Sequence, residues 1–246
     1  MDTLEARIKT DYVEQFNQDG VIVFKQLFNE NSLQLIANEV AHIRKFVMAK
    51  LAHMKRPIKT YSDIAERQLG RLDYRCGFHS PLFDEIAQPV VSIVKKFSPL
   101  VDFRYYWGAI PSLGGSGPTD IHRDVYPFLN NTGEYDLSEL DVNLPPYYFT
   151  VLIPLVQITR ENGPTQFIRG THKKPIVDDS KETFYSPLLS RGDMVIFDGR
   201  LLHRGSANQT QEERVIAYLT FIANWYHDQT FEINDYLLPE LAVKVR

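Results

Sequence analysis

Apolar positions advance by threes and fours through Leu33, Ile36, Val40, Ile43, Val47, Leu51 and Met54, behind the capping candidates Asn29, Asn31 and Ser32. That spacing predicts a long amphipathic helix whose stripe must pack against something. The apolar run Val21-Ile22-Val23-Phe24 before it reads as a strand, and residues 82–97 read as a shorter helix ending near Ser98-Pro99. From about residue 100 the pattern changes. Residues 101–110, 147–158, 165–168, 194–197 and 214–225 are short segments rich in Val, Ile, Tyr, Phe and Trp between Gly, Pro, Asn and Asp clusters, so they read as strands and turns. The pattern predicts helices first and an antiparallel β core after them. Residues 130–146, with Asn130-Asn131-Thr132-Gly133 and Pro145-Pro146, read as a long loop of the kind that often serves binding or closure. Arg67, Arg71 and Arg75 recur every four residues, so if residues 61–78 are helical they share one face. That face would then be solvated surface or an anion contact.

The chain has 246 residues, enough for one domain with a helical part over about 1–98, a β core over about 99–226 and a tail over 227–246. Its 27 Lys and Arg against 31 Asp and Glu leave a net charge of −4, which argues against a nucleic-acid footprint. No run of residues is long and apolar enough to span a membrane, and the start lacks the build of a secretion signal, so a cytoplasmic protein is expected. With a single cysteine, Cys76, any metal must be held by histidine and carboxylate.

Among seven histidines, His122-Arg123-Asp124 forms the one His-x-acid pattern, against about one occurrence by chance. In an extended segment, residues i and i+2 point to the same side, so His122 and Asp124 can approach one ion together. His203 follows a turn, a short apolar strand and a second turn, and supplies a third candidate ligand. By spacing alone, these three are as readily structural as metal-binding. Two histidines and a carboxylate on one side of a metal are the arrangement of non-haem Fe(II) oxygenases. Arg214 opens the apolar strand Val215-Ile216-Ala217-Tyr218, a costly place for a charge without an anionic partner. Tyr105, Tyr106, Trp107, Tyr126, Phe128, Tyr147 and Tyr148 suggest an aromatic-walled pocket, and the alternative for each is the core.

Gly114-Gly115-Ser116-Gly117-Pro118 is not a nucleophile elbow, because Pro118 follows where that turn needs glycine, and no phosphate-cradling glycine motif is present. Beside an oxygenase with an anionic cosubstrate, two further classes stay open: a cupin-like metalloenzyme that needs no such cosubstrate, and a non-catalytic metabolite-binding jelly roll. Arg214 is the feature that neither of them needs.

Four stretches in order carry a resemblance: residues 16–24, with Asp19-Gly20 leading into a strand; Ile121-His122-Arg123-Asp124; residues 161–173, with Asn162-Gly163-Pro164 and Gly170-Thr171-His172; and His203-Arg204-Gly205-Ser206-Ala207-Asn208 followed by Arg214. The chain resembles the phytanoyl-CoA dioxygenase family of Fe(II)- and 2-oxoglutarate-dependent oxygenases over about residues 12–225. The resemblance implies a double-stranded β-helix, a cupin-like jelly roll with flanking N-terminal helices. It implies that His122, Asp124 and His203 are the catalytic Fe(II) ligands, that O2 and 2-oxoglutarate are consumed, and that Arg214 binds the 2-oxoglutarate carboxylate.

Where some members of that family offer a lysine as a second cosubstrate contact, Trp107-Gly108-Ala109-Ile110-Pro111 has none, so Tyr105, Thr150 and Gln166 are the candidates. Retention of Asp124 argues against the halogenating relatives, which replace it with a small residue. Tyr126, Trp107, Arg71 and Arg75 are the candidate contacts to a small organic substrate, and the two arginines are the features that an anionic one would meet. The reaction implied is oxidation of an unactivated C–H bond, by hydroxylation, desaturation, epimerisation or cyclisation, with release of succinate and CO2. Specialised metabolism is the setting these features suggest, with no nucleic-acid or membrane partner.

Overall fold

The computed structural model of the chain describes residues 10–53, 64–68, 70–76, 81–99, 101–125, 144–174 and 182–227. Helix α1 (Thr10–Asp19), unforeseen in the apolar pattern, ends at Gly20, which takes the left-handed conformation at φ 73°. Its amide donates to the Phe16 carbonyl at 2.8 Å, as expected for a glycine closing a helix. Strand β1 (Val21–Phe24) follows, then α2 (Glu30–Leu51), whose first turn is capped by the Asn29 side chain accepting from the Ser32 amide at 2.9 Å. The stripe Leu33, Ile36, Val40, Ile43 and Val47 is buried as predicted. Each such side chain contributes about 1.5–3 kcal/mol by leaving water.

Residues 64–68 and 71–76 depart from the helical reading. They form a hairpin of β2 (Ile64–Gln68) and β3 (Arg71–Cys76). Arg71, Asp73 and Arg75 therefore alternate with Leu72 and Tyr74 across the strand, and Tyr74 is buried in the core. Helix α3 (Pro81–Phe97) then leads into β4 (Phe103–Ser112), β5 (Tyr148–Pro154), β6 (Thr165–Phe167), a 3-10 turn (Thr171–Lys173), β7 (Met194–Asp198), β8 (His203–Gly205) and β9 (Arg214–Ala223).

Seven strands form one sheet in the order β1-β7-β5-β9-β4-β3-β2, and β6 pairs with β8 in a second, small sheet. All these pairs are antiparallel. This is the double-stranded β-helix with N-terminal helices. One face of the large sheet carries Phe149, Val151, Ile153, Ala217, Leu219 and Phe221 into a core shared with the helices, where Phe16 stacks on Phe97 at 4.3 Å and Phe83 on Trp107 at 3.6 Å. The opposite face points inward between the sheets. There Thr150, Leu152, Phe197, Ile216, Tyr218 and Thr220 line a cavity of about 430 Å³.

Candidate active site

A turn after β4 delivers residues 119–125 alongside residues 199–205. The Thr119 amide donates to the Gly205 carbonyl at 2.9 Å, and the Asp124 amide donates to the Gly199 carbonyl at 2.8 Å. Between them, His122 and His203 form an antiparallel bridge, each amide donating to the other's carbonyl at 2.9 Å. Directly opposed residues project their side chains to the same face, and Asp124, two residues beyond His122, joins them there. One ligand atom from each of His122, Asp124 and His203 lies within 4.8 Å of the other two. Asp124 Oδ1 is 3.9 Å from His122 Nε2 and 3.4 Å from His203 Nε2.

The surroundings prepare these atoms for a metal. His122 Nδ1 sits 2.8 Å from the Asp120 carbonyl, and His203 Nδ1 sits 2.9 Å from the Leu201 carbonyl. With each Nδ1–H donating to a carbonyl, Nε2 is the ring atom that faces Asp124, carrying a proton toward the carboxylate in the metal-free protein and free to serve as ligand once a metal displaces that proton. Thr150 Oγ1 donates to Asp124 Oδ2 at 2.5 Å, leaving Oδ1 directed at the imidazoles. Burial alone would raise the Asp124 carboxyl, but the charge attraction of the His203 and His122 rings and the Thr150 hydroxyl outweigh it and hold it well below the usual carboxylate range. Phe197 and Phe167 flank the His203 ring at 4.6 and 6.1 Å. Two imidazoles and a carboxylate on one side suit Fe(II).

Two buried arginines occupy the same cavity. Arg214, the first residue of β9, donates from Nη2 to Ser112 Oγ at 2.7 Å and from Nη1 to the Gly163 carbonyl. Gly163 reaches that position at φ 90°, with its own α-carbon packed so closely on the Ala207 and Ser206 carbonyls that a side chain has no room. Arg71 donates from Nη2 to the Ser206 carbonyl at 2.7 Å and to the Gly117 carbonyl at 3.3 Å. A Cβ on Gly205 would lie 1.8 Å from Arg71 Nη1, so only glycine lets that side chain lie across β8. The Nε of both arginines is buried with no hydrogen-bond partner. Neither has a carboxylate partner among the described residues. Burial lowers Arg71 to about 10, and burial with the neighbouring Arg71 charge lowers Arg214 to about 9. Two buried like charges with unsatisfied N–H groups form a receptor for an anion with several acceptor oxygens.

Of the sequence candidates, the structure brings His122, Asp124, His203, Arg214, Thr150, Arg71 and Arg75 together around the cavity. It does not bring Tyr105, Gln166 or Trp107. Tyr105 points to the helix side, where it donates to Asp84 at 2.8 Å, and burial followed by that carboxylate pushes its phenol up to about 12. Trp107 is core, stacked on Phe83. Gln166 accepts from Arg204 Nε at 2.8 Å while its neighbour Thr165 lines the cavity. Tyr126, Phe128 and most of the predicted loop 130–146 lie outside the described residues. Of the predicted pocket aromatics, Tyr106 and Tyr148 do line the cavity, their hydroxyls 3.2 Å apart, and Phe197 and Tyr218 join them. Asp73, Tyr218 and Ser112 were missed in the sequence, although the alternation Arg71-Leu72-Asp73-Tyr74-Arg75 carries the signal for Asp73.

Comparison with known proteins agrees with this geometry. The phytanoyl-CoA dioxygenase family matches residues 16–216, and the chain belongs to that family. It is thereby an Fe(II)- and 2-oxoglutarate-dependent dioxygenase. The dioxygenase AneA of Aspergillus aculeatus is 25% identical over 245 aligned positions, covering 87% of this chain and 75% of AneA. The iron/alpha-ketoglutarate-dependent dioxygenase PenM of Penicillium thymicola is 26% identical over 199 positions, covering 80% of this chain and 62% of PenM. In fold, the chain is similar to HygX of Streptomyces hygroscopicus, solved with nickel, 2-oxoglutarate and hygromycin B bound. The TM-score is 0.67 at 15% identity, over 89% of each chain. Among the described residues, no helix is long and apolar enough to cross a membrane.

Proposed function

We propose that this chain, acting as one domain, oxidises an unactivated C–H bond of a small organic metabolite in specialised metabolism. The observation that carries this reading is the shared cavity. One wall offers a His-Asp-His set whose ligand atoms cluster within 4.8 Å, and another offers two buried arginines with no carboxylate partner among the described residues. Iron and 2-oxoglutarate, when bound, would let O2 act as the oxidant, two electrons coming from 2-oxoglutarate as it is converted to succinate and CO2 and two from the substrate C–H bond.

The protein's own residues do the positioning. His122, Asp124 and His203 would hold the metal, with Thr150 orienting the carboxylate. Arg214 and Arg71 would share the distal carboxylate of 2-oxoglutarate, so the second contact is Arg71 rather than Tyr105, Thr150 or Gln166. Gly205 lies two residues from His203 on β8, about 7 Å at strand spacing, a separation a five-carbon diacid can bridge. Phe167 and Phe197 shield the His203 side from water. The inward-facing Tyr106, Tyr148 and Tyr218 favour a small aromatic or hydroxylated substrate. HygX, solved with hygromycin B bound, supports a small-molecule substrate on this fold. A jelly roll that does not use 2-oxoglutarate has no need of the buried arginine pair.

The test is turnover. Purified protein with Fe(II), O2 and 2-oxoglutarate should release succinate slowly, faster with a true substrate from a metabolite library, and Arg214→Ala should abolish both. Succinate release equal in wild type and Arg214→Ala would refute the assignment.

A further inference from the structure

Besides Arg71 and Arg214, the cavity is lined by Arg123, which donates to the Thr171 and Lys174 carbonyls, and by Arg75, to which the proposed function assigns no role. Arg75 lies on the same face of β3 as Arg71 but four residues on, about 13 Å along the strand. Arg71 is in register with Ser112, which itself pairs with Arg214, whereas Arg75 is in register with Gly108, which pairs with Tyr218. The two arginines thus sit in different rows of inward side chains. The next row holds Thr150 and Thr220, paired across β5 and β9, and Thr150 holds Asp124.

Arg75 is held in place from behind. Its Nε donates to Asp73 Oδ2 at 3.1 Å, and Asp73 Oδ1 accepts the Tyr218 hydroxyl at 2.8 Å. Asp73 is 1% exposed, so this carboxylate is a buried anchor rather than a substrate contact. Gly108 makes the arrangement possible, because a Cβ there would lie 2.3 Å from the Tyr218 ring. With Nε engaged, the two terminal nitrogens of Arg75 have no hydrogen-bond partner among the described residues, and the residue is part of the cavity lining. A guanidinium fixed through Nε presents a preorganised fork to a second set of oxygens.

We infer that Arg75, anchored by Asp73 and Tyr218, binds a carboxylate of the primary substrate, one side-chain row from the metal ligands and separate from the cosubstrate arginines. This inference rests on the oxygenase reading and narrows its substrate class to small carboxylic acids whose oxidised C–H lies near the acid group. Tyr106 and Tyr148, facing the same cavity, would border the body of such a molecule.

The experiment uses the protein loaded anaerobically with Fe(II) and saturating 2-oxoglutarate, titrated with a panel of aromatic and aliphatic monocarboxylates and the matching neutral amides. The readout is perturbation of the visible band of the loaded enzyme. At least one acid should bind ten-fold or more tightly than its amide. Arg75→Gln should remove that preference while changing 2-oxoglutarate affinity less than two-fold, and Arg75→Lys, which keeps the charge without the Nε tie, should retain part of it. If no acid is preferred over its amide in wild type, or if Arg75→Gln weakens 2-oxoglutarate instead, the inference is overturned. Absence of the band from metal-loaded wild type would count against the oxygenase reading itself, before any acid is added.

Discussion

His122 and His203 lie 81 residues apart in sequence yet exchange both of their backbone hydrogen bonds, at 2.9 Å each, which brings their rings to 4.4 Å. The candidate metal site is thus built into the pairing of the backbone rather than carried on a free loop. The two rings keep their spacing for as long as the strands stay paired.

Thr150 donates to Asp124 Oδ2 and would act as a positioning residue for the proposed metal ligand. Thr150→Val keeps the shape and deletes the donor. Loss of such a supporting hydrogen bond weakens metal binding about 10–100-fold. Anaerobic Fe(II) titration should show this, with His203→Ala abolishing binding and the fold unchanged by circular dichroism. Unchanged affinity in Thr150→Val would remove the positioning role.

The buried arginine pair predicts opposite effects on stability and on binding. Metal-free wild type should gain thermal stability from 2-oxoglutarate or succinate, by about 2.7 kcal/mol at a concentration one hundred times Kd. Arg214→Met removes an uncompensated buried charge, so the ligand-free protein should be no less stable than wild type while the anion-induced shift disappears. Arg214→Lys should raise the 2-oxoglutarate Kd ten-fold or more, because an ammonium cannot reproduce the fork. A differential scanning fluorimetry series settles all three, and an anion shift that survives in Arg214→Met would count against the pair as receptor.

Gly205 offers an independent route to the same claim. Gly205→Ala places a methyl group where Arg71 Nη1 now lies, so Arg71 must leave its position. The variant should resemble Arg71→Ala, with the KM for 2-oxoglutarate raised and Fe(II) affinity retained. A normal KM in Gly205→Ala alongside a raised one in Arg71→Ala would show that Arg71 acts from elsewhere.

His172 is buried against α1, with Nε2 3.2 Å from the Asn17 carbonyl. Burial lowers its pKa below the ordinary 6.5; Asp198 partly opposes this and Arg200 adds to it. The folded protein therefore holds a proton here less readily than the unfolded chain does. Its contribution to stability is complete above about pH 6.5 and is lost as pH falls below that value. Melting temperature should fall further between pH 7.5 and 5.5 in wild type than in His172→Gln, and parallel profiles would exclude the effect.

Much of the fold was legible because period and burial agree. The stripe of α2 and the strands after residue 100 each show one face to one core, and the His-x-Asp spacing carried its own geometry. The hairpin at residues 64–76 was not legible, because arginines at every fourth position imitate a helix face while Leu72 and Tyr74 keep strand alternation. The same alternation divides Tyr105 and Trp107, which face the helices, from Tyr106, which faces the cavity. Arg71 as a partner of Arg214 could not be read from sequence, since their meeting depends on the β3-β4-β9 register and on the missing side chain of Gly205.

On the proposed function, one cavity binds Fe(II) and 2-oxoglutarate together through these residues. The most direct measurement adds Fe(II) and then 2-oxoglutarate to metal-free protein under anaerobic conditions and follows the visible metal-to-ligand charge-transfer band. A saturable band is predicted in wild type, absent in His122→Ala and displaced to much higher 2-oxoglutarate concentration in Arg71→Ala and Arg214→Ala. Bound Fe(II) with no band on adding 2-oxoglutarate would contradict the account.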